Sequence, residues 1–588
     1  MKTVLTTLNA KYIHSSLALR YLKAYCRPIC DIKIKEFSIN NGLLDVLSDI
    51  YAEKPEVLGL ACYIWNIEMT LQLTTLIKKV LPNTIIILGG PEVSYDAQEI
   101  MKKQPEIDYI VQGEGEETFF QLLSTIQEKS SGAISNAISR VGNEIIAKAG
   151  TGVVENLDTI PFPYHDEDII ELKDKIIYYE SSRGCPFSCQ YCLSSVTKGV
   201  RFLSLERVFS DLSFFIKHNV RQVKFVDRTF NARKAHYLPL LKFIAEQDCQ
   251  TNFHFEIAAD ILDDEVLALL QYMPRGRVQF EIGVQSTNMS TLEQIQRSNN
   301  WPIIVKNVKQ ILSYRNIHVH LDLIVGLPEE SYERFGQSFN DVYSLKPHML
   351  QIGFLKLLKG SGIRQRVQEH QYIYMESAPY QVLGNKYLSY GEIRKLHLLE
   401  EVFNQIYNSS KFDKALSYFI KLHGGDAFKF YDDLTEYWEA RELHVVAHSS
   451  KSLYKYMLEF CQAHYPADSA ACEELLRFDV LVGEKGTLKP DFLNWNEMKW
   501  NEKTTEFWRN EKLVRKYIPD FKFTTWRDLK KKYHIEVFSF DLPGFIATGE
   551  FLTTHKITPI LFSFGAEYTT CKTIDMSDFG MENEDAAL

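Results

Sequence analysis

Residues 184–192, GCPFSCQYC, carry the motif that decides how the rest of the chain is interpreted. Cys185, Cys189 and Cys192 are spaced C-x3-C-x2-C and follow the β-rich run KIIYYESS at residues 175–182. Three thiolates on one short loop can bind three irons of a [4Fe–4S] cluster and leave the fourth iron open. The alternative is a zinc site, which takes four closed ligands, and no fourth Cys or His stands near this segment. The motif therefore predicts an iron–sulfur site in which one iron is free to bind a further ligand.

The sequence around and after the cysteines alternates β-rich runs with amphipathic helical patterns. After KIIYYESS come VKFVD, NFHFEIAAD, VQFEIGVQS, HVHLDLIVGL and MLQIGFLKL, separated by helical patterns such as LERVFSDLSFFIKHN. Six βα units predict an open (β/α)6 barrel over residues 171–365. Functional side chains of such barrels gather at the carboxyl ends of the strands.

The N-terminal part of the chain shows a similar alternation. The runs KTVLTTL, DIKIKEF, EVLGLACY, TIIILGG and DYIVQ are each followed by a helical pattern. This predicts an α/β domain over residues 1–135, with a doubly wound, Rossmann-like parallel sheet. Ligands of these sheets bind beyond the carboxyl ends of the strands.

The periodicity weakens after the first domain and changes character after the barrel. We interpret residues 136–170 as a linker, because they contain Pro161 and Pro163, which resist helix formation, and a likely hairpin, ISRVGNEIIAK. Residues 366–588 form a mainly α-helical, aromatic-rich pattern that ends in a few strands. The sequence thus predicts three domains joined by one linker.

Composition narrows the classes of function. The 588 residues carry a net charge of −10, which disfavours a protein that coats nucleic acid. The N-terminus lacks the apolar run of a signal peptide and no later run is long enough to span a bilayer, so we expect a cytoplasmic protein. Ten cysteines are too sparse for a disulfide scaffold, and Cys461, Cys472 and Cys571 are too scattered to predict a second cluster.

The cysteine spacing, with Tyr191 before the last cysteine, resembles the radical S-adenosylmethionine (SAM) superfamily over about residues 170–365. GVQS at residues 283–286 and DLIVGLPEES at residues 322–331 are similar to strand ends of coproporphyrinogen-dehydrogenase-like and cobalamin-type members. The SAM contacts that this resemblance implies are Tyr191, Glu256, Gln285 and Gly326. The alternative for Glu256 and Gln285 is that they are polar residues at strand ends.

The domain before the barrel resembles the cobalamin-binding domain of class B radical SAM enzymes. The segments that carry this resemblance are LNAKYIHSSLALRYL, GLACYIWN, LGGPEVS and VQGEGEE. The cobalamin contacts it implies are Tyr12, Ser15, Gly89, Gly90, Pro91, Gly113, Glu114 and Gly115. The glycines would let a flat corrin ring approach the backbone, whereas the acidic residues of GEGEE have the alternative role of capping a helix.

Two candidate residues are weighed against structural roles. The domain lacks the D-x-H-x-x-G pattern that supplies a histidine to cobalt, and a histidine near a helix start, such as His14, is more often a surface or capping residue. We therefore expect base-off binding without an imidazole on cobalt. Asp227, at the end of the second barrel strand, either faces substrate or caps a turn.

The resemblance implies an enzyme that cleaves SAM reductively at the cluster, with an electron donor such as a flavodoxin or ferredoxin. In the methylating members of the class, cobalamin carries the methyl group to a substrate radical. Ring rearrangement or cyclisation without methylation is the alternative reaction, and a cofactor-binding sensor without turnover is the alternative class. The C-terminal part resembles an uncharacterised domain appended to a subset of these proteins, and the domain before the barrel has the further alternative of an empty scaffold.

Overall fold

The computed structural model describes residues 1–130, 134–148, 150, 152–196, 199–495, 497–521, 526–530, 532–552, 555–565 and 568–581. Backbone contacts divide the chain into two units. The first contains Met1–Ser338 with Leu345–Ile393, and the second contains Phe339–Ser344 with Arg394–Leu588. Across the described part of the chain, no helix combines the length and apolar character needed to cross a bilayer.

A mainly parallel sheet opens the first unit. Its strands are β1 (Thr3–Asn9), β2 (Ile32–Ser38), β3 (Val57–Ala61), β4 (Ile85–Gly89), β5 (Tyr109–Val111), β6 (Ala137–Val141) and β7 (Glu144–Lys148), in the order β2-β1-β3-β4-β5-β6-β7. The helices are α1 (Leu17–Cys26), α2 (Leu43–Glu53), α3 (Ile67–Val80), α4 (Pro91–Ser94), α5 (Ala97–Lys103) and α6 (Glu116–Glu128). Ile86 and Leu88 of β4 pack into one core and Ile87 into the other, so both faces of the sheet are covered.

The barrel follows in the same unit. Its parallel strands are β8 (Ile177–Tyr179), β11 (Gln222–Phe225), β12 (Asn252–Ile257), β13 (Val278–Gln285), β14 (His318–Val325) and β15 (Met349–Phe354), paired in that order. A separate antiparallel pair is formed by β9 (Ser182–Gly184) and β10 (Val200–Phe202). The helices are α7 (Asp166–Glu171), α8 (Leu205–Lys217), α9 (Lys234–Glu246), α10 (Asp264–Gln271), α11 (Met289–Gln294), α12 (Trp301–Tyr314) and α13 (Tyr332–Tyr343).

The barrel strands have one apolar face and one polar face. Along β13 and β14, fully buried residues such as Val278, Phe280 and Leu321 alternate with half-buried residues such as Glu281 and Asp322. Because side chains of a strand point alternately to opposite faces, the apolar residues pack under the helices and the polar ones line the lumen. The lumen of the barrel is therefore lined mainly by polar side chains.

The elements that follow β15 lead into the mainly helical second unit. They are α14 (Gly362–Gln365), β16 (Ile373–Tyr374), β17 (Val382–Gly384), α15 (Tyr390–Ile406), α16 (Asp413–Leu422), α17 (Ala427–Ala440), α18 (Ser450–His464), α19 (Ser469–Gly483), α20 (Glu497–Arg509), α21 (Glu511–Tyr517), α22 (Trp526–Leu529), β18 (Tyr533–Phe540), α23 (Leu542–Thr548), β19 (His555–Phe564) and β20 (Thr569–Thr573). The last three strands form an antiparallel sheet in the order β18-β19-β20. The predicted fold class, an α/β chain with a helical C-terminal part, is confirmed.

Two features differ in detail from the sequence-based expectations. The hairpin assigned to the linker forms β6 and β7, which extend the first sheet because β6 pairs antiparallel with β5. Cys461 and Cys472, which we described as scattered, are bonded as a disulfide with Cα atoms 6.8 Å apart. They meet because α18 and α19 pack against each other, which the distance along the sequence did not reveal.

Candidate functional site

A cavity of about 610 Å³ lies at the carboxyl ends of the first sheet. Its walls come from β1, β3, β4 and β5 and from the loops that follow them. The barrel contributes Tyr178, Glu180, Arg183, Val226 and Arg228. The volume is in the usual range of small-molecule sites, and the position is the one expected for a doubly wound sheet.

The predicted cobalamin contacts line this cavity, with the exception of Tyr12. Those in its wall are Ser15, Gly89, Gly90, Pro91, Gly113, Glu114 and Gly115. The side chain of Tyr12 is 71% exposed, and the ammonium of Lys175 lies 5.3 Å from its ring. Their roles toward cobalamin stay predictions, and Tyr12 is the member that the structure does not bring to the site.

Glycine is required at two of these positions by the protein backbone itself. Gly90 has φ +111°, and a Cβ there would lie 2.5 Å from the carbonyl oxygen of Cys62. Gly113 has φ +73°, and its Cβ would lie 2.5 Å from the carbonyl oxygen of Gly152. At Gly89 the nearest atoms to an added Cβ are 3.9 Å away, so this glycine leaves open space at the wall.

Aromatic rings and hydrogen bonds join the cavity to the barrel. The rings of Tyr63 and Trp65, which both line the cavity, stack 4.6 Å apart at 6°. His14 Nδ1 lies 2.7 Å from the hydroxyl of Tyr178, and Ser15 Oγ donates to the carbonyl of Ile176 at 2.8 Å. Burial lowers the pKa of His14, which favours the neutral imidazole. We had not singled out Tyr63 and Trp65, although both stand in the segment GLACYIWN.

The predicted cluster cysteines lie on the connection between β9 and β10. Cys185 Sγ is 3.4 Å from Thr229 Oγ1, and burial raises the pKa of this thiol. Arg297 Nη1 lies 3.5 Å from Cys189 Sγ and donates to the Tyr191 hydroxyl at 3.1 Å. In the described ranges, no three His, Cys, Asp or Glu side chains are already arranged as a metal site. The three thiols nonetheless fit an iron–sulfur cluster in number and in chemistry, since thiolates are soft ligands.

The predicted SAM contacts occupy the barrel rim and lumen. Gln285 ends β13 with φ +69°, which is uncommon for a residue other than glycine, and its buried Oε1 has no hydrogen-bond partner among the described residues. Such strain and an open acceptor are features of ligand sites. Gly326 follows β14 with φ +92°, and Glu256 lies in the lumen, where burial raises its pKa. Tyr191 stands in the cysteine loop against Arg297.

Two residues near these contacts were missed by the sequence analysis. Burial, with the nearby Glu281 and Glu256, raises the pKa of Asp322 well above its usual range, and its Oδ1 lacks a partner in the described structure. Asp322 is the first residue of DLIVGLPEES, so its position in this motif could have marked it as a site residue. Arg297 follows a short helix far from the cysteines in sequence, and no local pattern marks it.

Asp227 takes the structural role that we had weighed against substrate contact. It is fully buried and accepts hydrogen bonds from Ser181 N at 2.8 Å, Ser181 Oγ at 2.7 Å and Ser182 Oγ at 2.5 Å. It therefore fixes the chain between β8 and β9. Of the two roles weighed for Asp227, these contacts favour the structural one, because they hold the carboxyl group inside the barrel wall.

This buried carboxyl group predicts a pH-dependent stability. Burial raises the pKa of Asp227 to about 7 from its ordinary 3.8, so the native state binds this proton more tightly than the unfolded state. This contribution to the free energy of unfolding is complete below the unfolded-state pKa of 3.8 and is lost as the pH rises through the folded-state pKa of about 7. Between pH 5 and pH 8, we expect wild type to lose about 2 to 3 kcal/mol of unfolding free energy relative to Asp227→Asn. Urea unfolding at both pH values tests this, and parallel pH profiles of the two proteins would contradict it.

Family models identify the domains. Residues 3–123 match the B12 binding domain, residues 179–342 match the radical SAM superfamily, and residues 368–562 match a protein of unknown function, DUF4080. These matches confirm the two domain families that the sequence resembles and the uncharacterised C-terminal domain. The exact boundaries predicted for the linker and domains stay predictions.

The similar curated proteins are named for two kinds of reaction, methyl transfer and ring formation. The cobalamin-dependent radical SAM methyltransferase TokK of Streptomyces tokunonensis is 26% identical over 346 residues, which cover 54% of this chain and 49% of TokK. The anaerobic magnesium-protoporphyrin IX monomethyl ester cyclase of Rubrivivax gelatinosus is 22% identical over 314 residues, which cover 50% of this chain and 55% of the cyclase. The chain thus spans about half the length of the curated relatives it matches.

Solved structures show the same fold. The cobalamin-dependent S-adenosylmethionine radical enzyme OxsB with aqua-cobalamin bound is 14% identical and superposes with a TM-score of 0.57. The match covers 84% of this chain and 82% of OxsB. At this identity, the likeness establishes the architecture of the chain.

Proposed function

We propose that this chain, which has the domain composition of a cobalamin-dependent radical SAM protein, cleaves SAM reductively and uses cobalamin to methylate an unactivated centre of its substrate. The observation that carries the proposal is the proximity of the two candidate sites. Arg183 on β9 lines the cavity of the first sheet. It precedes Cys185, the first residue of the cysteine loop, by two positions. One chain segment therefore borders both sites.

The residues present fit the proposed cofactors. Cys185, Cys189 and Cys192 would hold a [4Fe–4S] cluster, and the cavity has the glycine-rich wall that a flat ring needs. When bound, the cluster supplies the electron that cleaves SAM, and cobalamin supplies a methyl carrier. The protein supplies orientation: Arg297 holds the cysteine loop through Tyr191, while Gln285 Oε1 and Asp322 Oδ1 offer acceptors to a ligand in the lumen.

A second reaction is supported by one of the relatives. The relative from Rubrivivax gelatinosus is named a cyclase rather than a methyltransferase, and it is similar to this chain over 314 residues. A cyclisation or rearrangement would consume SAM without transferring its methyl group. A sensor without turnover would consume no SAM.

Product analysis separates these functions. The full-length protein, reconstituted anaerobically with iron, sulfide and hydroxocobalamin, is incubated with reductant, SAM and extracts of a deletion strain. Formation of 5′-deoxyadenosine together with S-adenosylhomocysteine supports methylation, whereas 5′-deoxyadenosine without S-adenosylhomocysteine supports cyclisation or rearrangement. Absence of both products would overturn the proposed activity. If either product forms, comparing the metabolites of the deletion strain with those of its parent would point to the substrate.

The proposal includes a partner and a location. Reductive cleavage needs a low-potential electron donor such as a flavodoxin or ferredoxin. Eight of the ten cysteines, including the three of the cysteine loop, are free thiols although Cys461 and Cys472 are bonded, and this favours a reducing compartment such as the cytoplasm. The net charge of −10 gives no support for a nucleic-acid substrate.

The proposed mode of cobalamin binding yields a spectroscopic prediction. We expect His14→Ala, once saturated with hydroxocobalamin, to have nearly the same cobalamin absorption spectrum as wild type. The domain lacks the D-x-H-x-x-G pattern that supplies a histidine to cobalt, so no imidazole is expected on cobalt. A changed absorption maximum in the variant would show instead that this histidine is a cobalt ligand.

A further inference from the structure

The cysteine loop is carried by a two-stranded stem. β9 and β10 pair antiparallel, and the cysteines lie on the connection between them. Gly184 closes the stem on the cysteine side with φ +102°, and a Cβ there would lie 2.1 Å from the carbonyl oxygen of Gly199. No side chain therefore fits at position 184, the residue directly before Cys185. Any shift of the stem moves the cysteine loop with it.

The stem places two arginines opposite each other. Arg183 on β9 pairs in register with Arg201 on β10. Like charges directly opposite across a strand pair repel, so this arrangement needs negative charge beside it. The required charge comes from the cavity wall of the first sheet.

Glu114 binds both arginines. Its Oε2 lies 3.2 Å from Arg183 Nη1 and 3.0 Å from Arg201 Nη1, and its Oε1 forms an ion pair with Arg201 Nη2. The same carboxylate accepts from Val154 N at 2.8 Å. Burial opposes its ionisation, but the hydrogen bonds from Arg201 and Val154 N together with Arg183 hold the pKa of Glu114 below its usual range. Glu114 is thus a charged bridge between the strands of the stem.

Two further carboxylates complete the cluster. Arg183 Nη2 lies 2.5 Å from Glu116 Oε1 and 2.7 Å from Glu180 Oε1. All three carboxylates line the cavity, and their side chains are at most 20% exposed. The second oxygen of Glu116 is buried and has no hydrogen-bond partner among the described residues. An acceptor in this state fits a donor from the cavity ligand, such as an amide N–H of a corrin side chain.

We propose that Glu114, Arg183 and Arg201 are positioning residues that couple occupancy of the cavity to the geometry of the cysteine loop. This inference rests on the proposed function, because it takes cobalamin as the cavity ligand. A ligand that engages Glu116 and Glu114 fixes Arg183 and Arg201, and the stem then holds the cysteines in one arrangement. By thermodynamic reciprocity, the cluster must change cobalamin affinity by the same factor as cobalamin changes the stability of the bound cluster.

The test is a linkage measurement on the full-length protein. Hydroxocobalamin dissociation constants are measured by anaerobic equilibrium dialysis, with and without the reconstituted cluster. In wild type we expect cobalamin to bind more tightly to the cluster-loaded form by about fivefold or more. In Glu114→Gln and in Arg201→Gln, both checked for iron content, we expect that ratio to fall close to one. Electron paramagnetic resonance of the reduced cluster should change with cobalamin in wild type and stay unchanged in the variants.

A matched control breaks a different ion pair of the first unit, one that joins the segment before α5 to the segment after β15. Lys359 Nζ lies 3.4 Å from Asp96 Oδ2, and this ion pair shares no residue with the cluster formed by Glu114, Arg183 and Arg201. Asp96→Asn should keep the wild-type ratio of dissociation constants. Equal constants for the two wild-type forms, or a wild-type ratio in Glu114→Gln and Arg201→Gln, would overturn the coupling and leave the proposed function standing. No hydroxocobalamin binding by either wild-type form would overturn both.

Discussion

Changing Cys185, Cys189 and Cys192 together to alanine is expected to remove the iron–sulfur cluster and all cleavage of SAM. Wild type should hold about four irons and four sulfides, because one thiolate triplet has suitable spacing. The variant should show no cluster absorption, no cluster signal in electron paramagnetic resonance, and 5′-deoxyadenosine no higher than in a buffer control. This is the largest effect we expect, since the variant keeps no thiolate in the loop to bind iron.

The control for this experiment is a second C-x3-C pair in the chain. Cys26 and Cys30 are buried in the core of the first sheet. Their double alanine variant should keep the iron content and the 5′-deoxyadenosine yield of wild type. A remaining [4Fe–4S] signal in the triple variant would mean that the cluster lies elsewhere in the chain.

Placing a leucine at Gly89 is expected to abolish cobalamin retention while the cluster site stays loaded. A Cβ at Gly89 meets no atom closer than 3.9 Å, so the new side chain fills the cavity without straining the backbone. Gly90 and Gly113 are poor choices for this test. A side chain at either would clash with a backbone carbonyl, and loss of cobalamin would then report a damaged fold.

Cobalamin and iron content of the purified Gly89→Leu protein check this prediction directly. Gly391→Leu is the matched control, because Gly391 is exposed in the first turn of α15 and its Cβ would meet only Ser389 Oγ, at 3.8 Å. The control should retain both cofactors. Normal cobalamin content in Gly89→Leu would mean that the corrin ring does not approach this part of the wall.

The parts of the site that sequence predicted are those encoded locally. The cysteine spacing is a short motif, and the carboxyl ends of parallel strands lie along one edge of a sheet, where ligands bind. Glycines in LGGPEVS and GEGEE therefore reached the cavity wall as expected. Gln285 and Gly326 also stand at strand ends, with positive φ angles that a sequence pattern only hints at.

The parts that sequence missed depend on contacts between distant segments. Arg297 reaches Cys189 across 108 residues, and Glu114 reaches Arg201 across 87. Tyr12 belongs to a loop that borders the cavity, yet its side chain points to solvent. The sequence could not predict this, because side-chain direction within a loop follows no regular period. Asp227 follows a strand like a site residue, and only its three buried hydrogen bonds reveal that it braces the wall.

The two-faced barrel strands have a consequence for how this protein can diversify. On β13 and β14, the apolar residues under the helices maintain packing, while every second residue lies on the lumen face. Substitutions at lumen positions near the carboxyl ends, such as Ile324 of β14, leave the residues packed under the helices in place, so mutations that alter ligand preference carry little folding penalty there. A library that randomises only these alternating positions would explore new substrates on an intact scaffold.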